Sequence, residues 1–151
     1  MQEKQDIHTY DRRLMNIDRT LSTISKSNKD LIIKYRDYLF IRNLSKGRVL
    51  KYIEVLKLVS VLIETSKNLS TKNLEKLTKS DLQYVVGVIQ QKPYSPWTKQ
   101  TYKVVIKKFI CWAKNCDEGE IADEVKWIKL NFNKSETKLP GEGDLISKEE
   151  L

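Results

Sequence analysis

Between positions 95 and 114 the chain reads SPWTKQTYKVVIKKFICWAK, with five lysines and no acidic residue. At about 100° per residue, Lys99, Lys103 and Lys107 form an i, i+4, i+8 row, with Gln100 and Lys114 beside it. Thr98, Thr101, Tyr102, Val105, Phe109, Trp112 and Ala113 gather on another arc. A helix built this way can bury one side and lay the other along a phosphate backbone. Lys46, Arg48 and Lys51 form a second basic group, at the start of a long apolar segment. A helix start there would add free N–H groups and a positive dipole, both suited to phosphate. The chemistry differs by residue. Lysines act as point charges on phosphate, and Arg48 could bind phosphate or a guanine edge in bidentate fashion. Gln100 suits an adenine edge, and Thr98 a phosphate or a thymine methyl. The candidate nucleic-acid contacts are therefore Lys46, Arg48, Lys51, Thr98, Lys99, Gln100, Lys103 and Lys107, and a basic helical face does not by itself tell DNA from RNA. The same spacing also occurs on solvated faces that bind nothing.

Charge and composition narrow the classes. Residues 26–114 carry 19 basic and 6 acidic side chains, net +13, against net 0 before them and −5 after them, in a chain of net +8. Such a concentrated cation suits a polyanion. No GxxxxGK[ST], GxGxxG or HExxH pattern occurs, and the one histidine, His8, gives no pair for acid–base or nucleophilic catalysis. The chain alone reads as no enzyme, with no catalytic residues, no cofactor and no small-molecule substrate. Cys111 and Cys116 match neither a CxxC pair nor a four-ligand zinc site and read as buried or idle thiols, so no metal is expected. No run approaches the roughly 18 apolar residues of a membrane span, and MQEKQDIHTYDRR is too polar for a secretory signal. A cytoplasmic location follows as the expectation.

The elements that must position these residues are helical. Only 5 glycines and 3 prolines in 151 residues argue against a turn-rich β fold. Ile7, Tyr10, Leu14, Ile17, Leu21 and Ile24 step by 3, 4, 3, 4, 3, a heptad seam on an N-terminal amphipathic helix over residues 1–26. That seam could pack back on its own domain or make a homo-oligomer with the same helix of another subunit. A cap at Ser27 or Asn28 predicts a helix to about Asn43, with Leu31, Ile32, Tyr35, Tyr38 and Leu39 inward. Gly47 is expected to relieve a tight corner before the most apolar helix, which runs to about Thr65. Leu69, Leu74 and Leu77 should pin a polar connection over 66–78. Thr78 or Ser80 then caps a helix through Gln91 with Leu82, Val85, Val86 and Ile89 inward. Ser95 as cap and Pro96 at the first position begin the lysine-rich helix. Residues 125–128 should form an apolar clip, with Trp127 in the core, and 131–151 a linker.

Five stretches also carry a family likeness. They are NKDLIIKYRDYLFIRNLSKGRVLKYIEVL (28–56), LTKSDLQYVVGVIQ (77–90), the lysine-rich segment, VKWIKL (125–130), and LP followed by LISKEEL (139–151). In order and spacing they resemble the N-terminal, core-binding domain of tyrosine recombinases, the phage-integrase family, most closely its archaeal-type members. The resemblance implies an all-α, compact four- to five-helix bundle of SAM-like type over 27–130, beside the N-terminal amphipathic helix. It implies a module that clamps one side of double-stranded DNA at a recombination half-site, with 131–151 leading to a catalytic domain absent from this chain. That family cuts DNA with a tyrosine supported by groups that include an HxxR motif. No HxxR occurs here, so none of the seven tyrosines is assigned as nucleophile. The alternative is a helical interaction module that oligomerises through the N-terminal seam.

Overall fold

The computed structural model describes residues 10–130, and every regular element among them is helical. Two short helices, α1 (Tyr10–Met15) and α2 (Ile17–Thr20), precede a 3₁₀ turn at Leu21–Thr23. Then come α3 (Lys26–Ile41), α4 (Lys46–Thr65), a 3₁₀ turn at Leu74–Lys76, α5 (Lys79–Gln91) and α6 (Pro96–Ala113). The fold is all-α, as the composition and periodicities predict. No helix of the described residues is long and apolar enough to cross a membrane.

Helix α4 is the hub, in contact with α1, α3, α5 and α6. Its sequence explains this: Val49, Leu50, Tyr52, Ile53, Val55, Leu56, Val59 and Ile63 are buried and leave few directions polar. A helix apolar nearly all round is stable only when wrapped by others. Around it pack Ile32, Tyr35 and Leu39 of α3, Leu82, Val85, Val86 and Ile89 of α5, and Val105, Ile106, Phe109 and Ile110 of α6. Leu74, Leu77, Val125 and Ile128 close the ends of the same core, and Leu69 and Trp127 pack against it half-buried.

Local signals set the helix starts. Ser25, Ser45, Thr78 and Ser95 each accept a hydrogen bond from the backbone N–H three residues on. Each such cap contributes about 1 kcal/mol. At Thr78 the box is complete, because the Asp81 carboxylate accepts from the Thr78 N–H in return. The cap of α3 is Ser25, not Ser27 or Asn28. Asn28 is fully buried instead: its amide donates to Glu64 and to the Lys72 carbonyl, and its oxygen accepts from the Leu74 N–H at 2.9 Å. One side chain thus ties α3, α4 and the 66–78 connection together.

Two further expectations are corrected. The N-terminal segment is not one continuous helix, since it breaks at Asn16 and tightens into 3₁₀ geometry at 21–23. The break lets Ile17, Leu21 and Ile24 enter the common core while Leu14 packs against it, so these four seam residues pack within the chain. Ile7 and His8, and the expected linker 131–151, lie outside the described residues. Gly47 is helical, within the first turn of α4; the left-handed corner residue is Asn43, at φ 66°. What Gly47 provides is room, because a Cβ there would sit 2.9 Å from the Tyr10 hydroxyl oxygen.

Candidate nucleic-acid interface

The start of α4 and the outer side of α6 share one wall. Lys51 extends its ammonium to 5.3 Å from the centroid of the Tyr102 ring, a cation–π contact across the two helices. One turn further along each helix, Arg48 and Lys107 line the same cleft. Lys103 lies between Tyr102 and Lys107 and continues the row. Tyr102 is itself braced by Tyr94, ring centroids 5.2 Å apart and edge-on. Partial burial, reinforced by Tyr94, raises the Tyr102 hydroxyl pKa above the ordinary tyrosine value. The Tyr102 ring therefore offers a neutral hydroxyl near the cations. Glu54, a carboxylate close enough to act on Tyr102, is ion-paired with Arg13 from α1.

The eight expected contacts do not form a uniform set. Arg48 is exposed, and neither its guanidinium nor the Lys103 ammonium makes an ion pair or hydrogen bond among the described residues. Lys46 is ion-paired with Asp11. Lys99 and Lys107 are half-buried and bonded to main chain: Lys99 Nζ donates to the Gln90 carbonyl at 2.7 Å and Lys107 Nζ to the Ile128 carbonyl at 2.8 Å. Each has spare N–H groups, but its position is fixed by the main chain it holds, Gln90 of α5 for Lys99 and Ile128 of the clip for Lys107. Thr98 is half-exposed and accepts from the Ser95 hydroxyl at 3.1 Å.

Gln100 is the clear correction. It was expected to face an adenine, but it is buried and its amide donates to the Leu130 carbonyl. The buried side of α6 is accordingly turned from the expected arc toward Gln100, Ile106 and Ile110, while Thr98, Thr101, Trp112 and Ala113 are only half-buried. The cause is the 125–130 clip, which runs along α6 and covers the side that periodicity leaves polar. Tyr102 was placed on the inner arc because an aromatic ring on a helix reads as core, and Tyr94, in the connection between α5 and α6, was given no place beside it. Their hydroxyls were the available signal.

The thiols give no sign of activation. Partial burial, with Cys111 and then Glu120 and Glu124 nearby, raises the Cys116 pKa, opposite to a reactive thiolate. The Cys111 Sγ accepts from the Ala122 N–H at 3.4 Å, a structural contact. Among the described residues no cluster of three or more His, Cys, Asp or Glu side chains could hold a metal ion.

Comparison with family models, with curated proteins and with solved structures found no match to this chain.

Proposed function

We propose that this chain is a helical DNA-binding module, the core-binding domain of a site-specific tyrosine recombinase or integrase, holding one side of the duplex at a recombination half-site. On this reading it supplies affinity and register, and strand cleavage belongs to residues outside it. The observation that carries the proposal is that Lys51 of α4 reaches the Tyr102 ring of α6 while Arg48 and Lys107, from the same two helices, line one cleft, with Lys103 one turn before Lys107 on α6. Two rods side by side, each with cations along its outer side, can follow phosphates flanking a groove. Arg48 is the best-placed group for a bidentate base or phosphate contact, being exposed and unpartnered among the described residues.

A mobility-shift competition with duplex DNA, single-stranded DNA and duplex RNA of one sequence tests the reading. Duplex DNA is expected to compete best. Equal competition by all three would leave only unspecific polyanion binding, and no shift at low salt would end the proposal. The rival reading, an oligomerisation module, lacks support from the seam: Ile17, Leu21 and Ile24 are already buried within the chain. Recruiting them for a second subunit would expose this chain's own core.

A further inference from the structure

The cleft beside the wall has a composition that duplex binding does not use. It encloses 650 Å³ between α3, the start of α4, the end of α6 and the 115–121 loop. Small-ligand sites span roughly 300–1,000 Å³. Its floor includes the half-buried rings of Tyr38 and Trp112, centroids 5.9 Å apart. Arg42, Arg48, Lys107 and Lys108 line it as cations, and Asp117, Glu118 and Glu120 as carboxylates. Arg42 lies 5.9 Å from the Tyr38 ring centroid, so a guanidinium and a stacking surface are adjacent.

Both signs of charge share this cleft, yet no ion pair joins them. The ion pairs among the described residues join none of these lining side chains to one another; Lys114 with Glu124 and Arg36 with Asp37 only flank the cleft in sequence. Arg48 and Lys108 have no side-chain partner among the described residues. Opposite charges around an open aromatic floor suit a ligand that brings its own anion and its own N–H donors, joined by a flat ring.

We propose that this cleft binds a nucleotide. The phosphate lies among Arg42, Arg48 and Lys108, and the base stacks on Trp112 and Tyr38. The amino edge of the base donates to Asp117 or Glu118. A base with an exocyclic amino group, guanine above all, fits better than thymine, because a carboxylate needs donors. The ligand is bound, not transformed, and its source is either a free nucleotide or an unstacked nucleotide at a strand end. The proposal shares Arg48 with the duplex reading and differs from it in Arg42 and Lys108, which are not among the wall contacts.

The test is NMR on the full chain, following the indole N–H signals of Trp97, Trp112 and Trp127. Addition of dGMP is expected to shift Trp112 saturably, with a dissociation constant of roughly millimolar or tighter, and dTMP is expected to bind more weakly. Arg42→Ala with Lys108→Ala should weaken dGMP at least about tenfold while melting and blunt-duplex affinity are retained. A blunt duplex compared with the same duplex carrying one unpaired 3′ guanosine separates the sources: only the second should move Trp112 if the ligand belongs to a strand, and neither if it is free. A Trp112 signal unmoved by dGMP and by the overhang overturns the proposal. So does inorganic phosphate that competes as well as dGMP, or a double variant that binds unchanged.

Discussion

Replacing Arg48 and Lys103 together by glutamate isolates the wall from the rest of the charge. Arg48, Lys51 and Lys103 are the wall cations whose head groups make no hydrogen bond or ion pair among the described residues, Lys51 having only its contact with the Tyr102 ring. If each neutralises one phosphate, the slope of log K against log salt is about −2.7, at about 0.9 per contact. Affinity then falls about 40-fold between about 50 and 200 mM salt. The double variant leaves Lys51, so its slope drops to about −0.9. The same relation makes its affinity at least about 200-fold below the parent at about 50 mM, narrowing to about 20-fold at about 200 mM. Glutamate repulsion adds to both losses. A fluorescence-anisotropy titration of one labelled duplex at several salt concentrations reads all of these values. The melting temperature should hold, because neither head group is bonded within the fold. Lys67→Glu with Lys79→Glu, at exposed positions of equal total charge, is the control. A parent-to-variant ratio that stays constant with salt, or an equal loss from the control pair, refutes the wall.

Three further outcomes test how the fold holds this wall. Asn28→Ala strips partners from the Leu74 N–H, the Lys72 carbonyl and Glu64, and should cost about 2–4 kcal/mol in denaturant unfolding; a change below about 0.5 kcal/mol would contradict the bridging role. Lys107→Met keeps the stem and removes the bond to the Ile128 carbonyl, so it should cost about 1–2 kcal/mol, while Lys103→Met should cost under about 0.5 by the same denaturation assay. Stability should also fall at both pH extremes. Burial alone would raise the Asp81 pKa, but hydrogen bonds from Ser70 and Thr78 overrule it and hold it below the ordinary value. Asp81 therefore contributes stability above its unfolded pKa of about 3.9 that is lost as pH falls below it, and Asp81→Asn should flatten that acid limb. Burial, with Tyr52 and Tyr38 nearby, raises the Tyr35 hydroxyl far above the tyrosine range, so stability is full below about pH 10 and declines above it as the unfolded chain ionises. Melting temperatures across pH check both limbs, and an alkaline limb as flat as the neutral region would remove Tyr35 from the account.

Local pattern carried the helices a long way. Thr78 and Ser95 act as caps where a hydroxyl before an apolar run predicts one, and Leu82, Val85, Val86 and Ile89 turn inward as a 3.6-residue period requires. These features depend on neighbours three or four residues away, which a sequence displays directly. Ser25 was harder to read, because Ser25, Ser27 and Asn28 are all plausible caps by type. The choice fell to Glu64, 39 residues away, which accepts from the Ser25 N–H at 3.0 Å.

The basic row itself was legible, but not the division of labour within it. By periodicity Lys99, Lys103 and Lys107 are equivalent, and Gln100 is their neighbour. The residues that separate them are distant in the chain: Ile128 fixes Lys107 and Leu130 buries Gln100. Sequence alone determined that this chain makes amphipathic helices and where its cations concentrate, since helix period and capping are short-range effects. Tertiary structure alone decided which cations keep free head groups and which polar side chain goes inside. Burial and hydrogen-bond partnership are set by whatever segment packs alongside, and no repeat along the chain encodes that segment.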